Sequence, residues 1–222
     1  MKRDNGIALS CHPNRHATNI MSEAAFYKTI DQPATAEFKD RGSKFIAFAY
    51  PVEKVEDTKA HLLALKKEHP KAAHYCFAYR LGTDGNSFRV TDDGEPSGTA
   101  GKPILGQIDS KGLTNVMVVV VRYFGGSLLG VPGLINAYKT VTSLVLQVTP
   151  LIPKQVEVKY LLHFDYTRVN EVMLVLKQGN CTIIRQEMQL FCNITAGIPK
   201  SRLTEVLYRL KELQHIETNK LD

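Results

Sequence analysis

The residue types with the greatest chemical capacity are concentrated in one short stretch of this sequence, RVTDDGEPSGTAGKP (89–103). Its carboxylates, Asp92, Asp93 and Glu95, suit a hard cation such as Mg²⁺. Its glycines precede Lys102 and a predicted helix, and such an order is typical of loops that bind phosphate through backbone N–H groups. The stretch is therefore a candidate binding loop.

Other features of the same stretch favour a structural role. The carboxylates would repel an anion, and Pro103 stands where a P-loop has Ser or Thr after its lysine. Ser and Thr side chains in such a segment often bond to the backbone of a turn and cap the helix that follows. The residues alone leave both interpretations open, a structural turn or a ligand-binding loop.

Arg122 directly follows four valines at the end of a predicted central strand, in VVVVRYFGG (118–126). A guanidinium group in that position is poorly solvated and needs a partner, because an unpaired buried charge is very costly. The segment 92–95 offers the nearest carboxylates. We therefore predict a structural ion pair between Arg122 and one of them. The candidates are Asp92, Asp93 and Glu95.

The residues after Arg122 complete a predicted surface for a ligand or partner. The aromatic side chains of Tyr123 and Phe124 are suited to stacking on a base, although core packing is the commoner role of such residues. The glycines permit a backbone turn that other residues would resist. The loop 89–103 is expected to turn three polar side chains toward solvent, those of Ser97, Thr99 and Lys102. The predicted surface comprises Asp92, Asp93, Glu95, Ser97, Thr99, Lys102, Arg122, Tyr123, Gly125 and Gly126.

The sequence identifies no catalytic residue. His74 and Cys76 point to the same face of a predicted strand, but a satisfied structural histidine is a commoner outcome than a Cys–His nucleophile pair. The motifs G-x-S-x-G and H-E-x-x-H are absent, and the four cysteines have no zinc-type spacing. We predict no cofactor and no metal.

The composition is that of an ordinary globular protein of 222 residues, with 44% hydrophobic and 23% charged residues. The net charge of +6 is compatible with a nucleic-acid partner, but the sequence contains no long basic run. The four cysteines do not resemble a disulfide framework, so we expect reduced thiols in a cytoplasmic protein. The sequence has no apolar segment long enough to cross a bilayer, which predicts a protein that does not enter a membrane. The polar, aperiodic N-terminus predicts a disordered extension over residues 1–25.

Two α+β domains are predicted to position these residues. Hydrophobic periodicity and the positions of Gly and Pro predict two domains and a linker. The N-terminal domain covers 26–148, the linker covers 149–155 and includes TPLIP, and the C-terminal domain covers 156–222 with the order βαββαβ. In the first domain the predicted strands are 42–52, 74–81, 87–92 and 115–124, and the predicted helices are 53–69, 102–112 and 132–148.

Two long motifs resemble those of the YigZ/IMPACT family. They are DDGEPSGTAGKPIL and GLTNVMVVVVRYFGGSLLGVPGLINAY, and HYCFAYRLG and GSKFIAFAYPV resemble the upstream segments of the same family. The resemblance covers roughly residues 26–148, and 156–217 is similar to the small C-terminal domain of bacterial members. Pro132, where a glycine is expected, and the first twenty residues depart from the family pattern.

The resemblance implies a fold for each domain and a role linked to translation. The N-terminal domain is expected to be like domain IV of elongation factor G, a ribosomal-protein-like βα fold, and the C-terminal domain to be ferredoxin-like. Eukaryotic relatives act in translational control. The resemblance therefore implies partners such as RNA, the ribosome or a translation-associated protein, with no specificity for DNA.

Two functional hypotheses remain at this point. The favoured one is a non-enzymatic regulator linked to translation, which predicts binding that weakens steeply with salt. The alternative is an enzyme that acts on a small phosphorylated substrate through the loop from Asp92 to Lys102, an idea that rests on fold analogy.

Overall fold

A computed structural model describes residues 25–221, which divide into two compact units. The N-terminal unit is Tyr27–Val156, and the C-terminal unit begins at Glu157. The predicted extension over 1–25 lies, except for Ala25, outside the described residues.

The N-terminal unit is built on a five-stranded antiparallel sheet with the strand order β2-β3-β6-β4-β5. A separate two-stranded sheet pairs β1 with β7. The elements are β1 (Phe26–Ile30), β2 (Ala34–Asp40), β3 (Ser43–Pro51), α1 (Val55–Glu68), β4 (His74–Leu81), β5 (Ser87–Thr91), α2 (Gly101–Ser110), β6 (Val116–Tyr123), α3 (Gly130–Val148) and β7 (Leu151–Gln155).

The continuous run of valines in β6 exists because this strand is central and covered on both faces. Val116, Val118 and Val120 pack in the core that includes α2 and α3. The alternate residues of the strand pack in a second core that includes Leu65 of α1. Since neither face of β6 meets water, both sets of side chains are apolar. Arg122 is the first charged residue after this run, at the end of the strand.

The segment 149–155, predicted to be a linker, contains a strand instead. Leu151–Gln155 forms β7, which pairs with β1, and the Asp31 N–H donates to the Pro150 carbonyl at 3.4 Å. Proline cannot donate to a ladder, but it is tolerated where one side of a strand is free, as in a two-stranded sheet. The boundary between the units therefore follows Val156.

The C-terminal unit has the element order βαββαβ, as the sequence pattern indicated, and a four-stranded antiparallel sheet with the order β11-β8-β10-β9. Both helices pack on one face of this sheet, around a core that includes Leu162, Phe164 and Ile194. Short 3-10 turns, Tyr166–Arg168 and Lys200–Arg202, precede the helices. The elements are β8 (Glu157–Asp165), α4 (Val169–Gln178), β9 (Thr182–Met188), β10 (Phe191–Pro199), α5 (Leu203–Glu212) and β11 (Ile216–Lys220).

No helix in the described part of the chain has the length and apolar character needed to span a membrane. The cysteines at 76, 181 and 192 are free thiols.

Candidate functional site

The loop between β5 and α2 folds around the carboxylate of Asp92. One carboxylate oxygen accepts the Gly98 N–H at 2.8 Å, and the other accepts the N–H groups of Ala100 and Gly101 at 3.0 and 2.8 Å. Burial acts to raise the pKa of Asp92, but these three N–H donors and the charge of Lys102 outweigh it, so the pKa is lowered. Asp92 therefore satisfies backbone donors at the start of α2 rather than binding a cation.

Asp93 fixes the same loop to the start of β4. Its carboxylate accepts the Tyr75 N–H at 2.7 Å, and its carbonyl oxygen lies 2.8 Å from Nδ1 of His74. The backbone of Asp93 has a φ of 44°, a conformation that Asp adopts more readily than most residues. Both of its polar ends are thus engaged by the protein itself.

Glu95 is the carboxylate that pairs with Arg122. Arg122 Nη1 donates to Glu95 Oε1 at 2.6 Å, and the two residues are 5% and 8% exposed. The Tyr138 hydroxyl donates to the same oxygen at 2.8 Å, and Arg122 Nη2 donates to the Ser43 hydroxyl at 3.3 Å. Removing one partner of such a buried pair leaves an uncompensated charge, which costs about 3–5 kcal/mol.

Arg122 also connects the core of the unit to its surface. Its guanidinium carbon lies 5.3 Å from the ring centroid of Phe45, which is fully buried, and 5.6 Å from that of Phe124, which is half exposed. These distances are in the range of cation–π attraction. The ion pair therefore supports an exposed aromatic side chain from beneath.

His74 and Cys76 do not form a nucleophile pair. The Cys76 sulfur lies 2.9 Å from the Asp92 carbonyl oxygen and 3.2 Å from the Tyr138 hydroxyl. Burial, with the nearby carboxylates, raises the pKa of the Cys76 thiol far above its usual range, although the bond to Tyr138 acts to lower it. The reactive thiolate is therefore suppressed, while Nδ1 of His74 is engaged by Asp93.

The structure corrects part of the predicted partner surface. Thr99 is only 2% exposed, and its hydroxyl donates to the Pro96 carbonyl at 2.7 Å, so it does not face solvent. Glu95 and Arg122 are likewise buried. Ser97 and Lys102 are exposed, as are Gly125 and Gly126, while Asp92, Asp93 and Tyr123 are half-buried.

The glycines after β6 are needed because two backbone segments approach each other closely. A Cβ on Gly125 would lie 1.9 Å from the carbonyl carbon of Gly42, and a Cβ on Gly42 would lie 2.9 Å from the Gly125 carbonyl oxygen. Gly126 has a φ of 88°, which favours glycine. The turn between β2 and β3 thus fixes the position of the loop after β6.

Five exposed cations lie at the same end of the sheet, where β6 ends and β3 and β4 begin; we call it the Arg122 end. The C-terminus of α1 is held there because the His69 ring lies 2.9 Å from the Tyr123 hydroxyl and the Ala73 N–H donates to the Arg122 carbonyl. Among residues 25–221 none of the five has a carboxylate within 4.0 Å. They are Arg41, Lys66, Lys67, Lys71 and Lys102.

The sequence pattern did not indicate this cationic set, nor two of the residues that hydrogen-bond to the buried Arg122–Glu95 pair, Ser43 and Tyr138. The cations are spread over some sixty positions, so only the fold brings them together. Tyr138 stands in an otherwise apolar stripe of a helix, and its hydroxyl was the available signal, because a buried tyrosine usually finds a hydrogen-bond partner. Ser43 offered no comparable signal.

Nothing in the described part of the chain groups three or more His, Cys, Asp or Glu side chains in a way that could hold a metal ion. The carboxylates of the loop 92–95 instead accept hydrogen bonds from the protein. The arrangement is that of a rigid loop with a cationic rim.

Comparison with known proteins gives consistent matches. The Impact N-terminal domain model matches residues 41–146. The IMPACT family member YigZ of Escherichia coli is 33% identical over 182 residues, which cover 81% of this chain and 89% of that protein. A yeast protein, the Protein IMPACT homolog of Saccharomyces cerevisiae, is 38% identical over 105 residues, or 46% of this chain and 39% of that protein.

A crystal structure titled as that of a hypothetical protein has the same fold. It superimposes with a TM-score of 0.71 at 30% sequence identity, and the match covers 89% of this chain and 98% of that chain.

Proposed function

The chain belongs to the YigZ/IMPACT family, and we propose that it is a non-enzymatic regulator linked to translation that contacts RNA, the ribosome or a translation-associated protein in the cytoplasm. The link to translation rests on the family, because the resemblance implies that its eukaryotic members act in translational control. The segment shared with the yeast relative is 105 residues long, and the family model matches residues 41–146, which lie within the N-terminal unit.

The observation that carries the proposal is the set of five exposed cations at the Arg122 end. Cations that lack carboxylate partners create a positive potential that attracts a polyanion such as RNA. Carboxylates at the same end reduce this potential, because hydrogen bonding within the protein leaves a carboxylate charged, but the five cations outnumber them. These carboxylates are Asp40, Glu68, Asp92 and Asp93.

The same hydrogen bonds weigh against the alternative of an enzyme for a small phosphorylated substrate. Such an enzyme would need the loop's carboxylates free to bind a cation or to move a proton. Asp92 holds the start of α2, Asp93 holds β4, and Glu95 is paired with Arg122. The proposed regulator requires no cofactor and no metal.

For the fold relations, we propose that the N-terminal unit is like domain IV of elongation factor G and that the C-terminal unit is ferredoxin-like. The second assignment is supported by the βαββαβ order and by a sheet in which the two central strands, β8 and β10, are the first and third of the unit. Both assignments agree with a contact to the translation machinery but do not require it.

The test is equilibrium binding of the full chain to purified ribosomes and to a labelled single-stranded RNA over a salt series. If four or five phosphates are contacted, log affinity against log salt should have a slope of about −3. The variant Lys67→Glu/Lys71→Glu should weaken binding and flatten the slope. The matched variant Lys28→Glu/Lys111→Glu makes the same charge change among exposed residues at the opposite end of the sheet and should bind as the parent does. A flat salt response in the parent chain, or equal losses in both variants, would overturn the proposal.

A further inference from the structure

The loop after β6 and the first turns of α3 expose a series of large apolar side chains. Leu128 is 84% exposed, the highest value among the large apolar residues of the described chain. Phe124, Val131 and Ile135 are 51%, 50% and 38% exposed. We call these four residues the apolar stripe. Single exposed apolar residues are ordinary, but a contiguous group marks an interaction site.

The apolar stripe is held in place from below. Leu129 and Leu134 alternate with the exposed residues and are buried in the main core of the unit. The loop is fixed at Gly125 against Gly42, and Phe124 rests on the guanidinium group of Arg122. The stripe is therefore preformed, and a partner would bind it without first ordering the loop, which lowers the cost of binding.

Two residues of the stripe lie on one side of a helix. Val131 and Ile135 are one turn apart on α3, and Leu128 lies in the loop just before this helix, which begins at Gly130. Residues at such spacing form a ridge along one side of a helix, and ridges of this kind pack against a second helix. A helix is thus the form of partner that this surface fits.

The charges around the stripe specify the polar side of that partner. Between Tyr123 and Pro153 the sequence contains no carboxylate, and its only charged residue is Lys139, one turn beyond Ile135. Arg41 is exposed and adjoins Gly42, which contacts the loop. An apolar surface with cations at its border complements apolar residues bordered by carboxylates, and such complementarity fixes orientation and partner choice.

We propose that the apolar stripe docks an acidic amphipathic helix of a partner protein, with apolar residues at positions i, i+3 or i+4, and i+7 and with Asp or Glu beside them. The proposal deepens the proposed function, because it names the kind of protein partner, and it rests on that function only for the partner's place in translation. RNA is the poorer fit, since three of the four side chains are aliphatic and cannot stack on a base.

The experiment selects a phage-displayed library of random peptides on the full chain and measures the enriched peptides, made synthetically, by fluorescence anisotropy. Enriched sequences should have apolar residues at helical spacing with acidic neighbours. Leu128→Ser/Val131→Ser should weaken their binding by about tenfold or more, as expected for residues at the centre of an interface. Leu63→Ser is the control, because Leu63 is 58% exposed on α1, on the opposite face of the sheet.

Several results would overturn the proposal. They are enrichment of basic peptides, no enrichment that depends on Leu128, and equal losses in Leu63→Ser. A tenfold loss of oligouridylate binding in the stripe variant would assign the surface to RNA, and a dimer of the parent chain that dissociates in this variant would assign it to a second copy. These outcomes are separate from the salt-series test, because the stripe variant changes no charge.

Discussion

The two units of this protein differ in the burial of their ion pairs: among the described residues the N-terminal unit has a buried pair, whereas the side chains paired in the C-terminal unit are at least 34% exposed. In the N-terminal unit Arg122 and Glu95 are 27 positions apart in the sequence and almost wholly buried. In the C-terminal unit the pairs Arg168–Glu171 and Arg202–Glu205 are three positions apart, and their side chains are 34–50% exposed. The buried pair joins elements that are distant in the sequence. Each of the exposed pairs joins two residues of the same helical segment.

Burial decides which of these ionic contacts determine the structure. A buried pair must be satisfied by partners in fixed positions, so Arg122 requires the loop after β5 and the hydroxyls of Ser43 and Tyr138 to assemble around it. An exposed pair is screened by water and salt and contributes at most about 1 kcal/mol. The loop at the Arg122 end is therefore a consequence of long-range packing, whereas the surface pairs could be lost without changing the fold.

Arg122→Met tests the comparison at its strongest point. We expect the N-terminal unit to lose about 3–5 kcal/mol of unfolding free energy, because Glu95 is left buried without its cation. The measurement is urea unfolding followed by NMR amide signals assigned to each unit. Arg168→Met is the matched change in the C-terminal unit and should cost less than about 1 kcal/mol. Similar losses in the two units would remove the distinction.

Gly125→Ala tests whether the loop depends on the close backbone approach. The new Cβ would meet the backbone of Gly42 at 1.9 Å, so the segments must separate. We expect a loss of about 1–3 kcal/mol, as for overpacking, together with chemical-shift changes around Phe124. Gly106→Ala is the control, because no atom lies within 4 Å of its Cβ in α2, and it should stabilise the unit by about 0.5–1 kcal/mol. A stable Gly125→Ala protein with unchanged shifts would contradict the role assigned to this glycine.

The smallest expected difference concerns two aspartates that accept backbone N–H groups. Hydrogen bonds and charge lower the pKa of Asp92 despite the opposing effect of burial, and the Thr167 N–H lowers the pKa of Asp165 in the C-terminal unit. A lowered folded-state pKa means that the stabilisation is present above the unfolded value, near 3.8, and is lost as the pH falls through the folded value.

Replacing each aspartate by asparagine separates the two cases. Asp92→Asn should cost the N-terminal unit about 1 kcal/mol at neutral pH and reduce its loss of stability on acidification. Asp165→Asn should have a smaller effect on the C-terminal unit, because its carboxylate accepts the N–H of a single residue, two positions away. Unfolding curves at neutral pH and below pH 3.8 provide the measurement, and an equal or larger effect at Asp165 would count against this ranking.

The sequence predicted β3 to β6, the three helices of the N-terminal unit and the element order of the C-terminal unit, because hydrophobic periodicity and the positions of Gly and Pro are local signals. It did not predict β1, β2 or β7. The need of Arg122 for a carboxylate was also predictable, since four valines precede it. Which carboxylate it takes was not predictable, because Asp92 and Asp93 instead accept N–H groups whose positions depend on the folded loop.

Two errors have the same origin. Thr99 was expected to face solvent, yet it closes a turn onto Pro96 inside the loop. Pro150 and Pro153 predict a linker over residues 149–155, but β7 pairs with β1 at the start of the unit. In both cases a contact that is invisible from the local pattern decides the outcome.

The pairing of β1 with β7 also determines when the N-terminal unit can be completed during synthesis. The two strands are separated by about 120 residues, so their contact closes the longest loop in the unit and gains nothing until the chain between them is ordered. The chain leaves the ribosome from its N-terminus, so the five strands of the main sheet and α3 all emerge before β7. β1, the first strand of the unit to emerge, therefore waits longest for its partner.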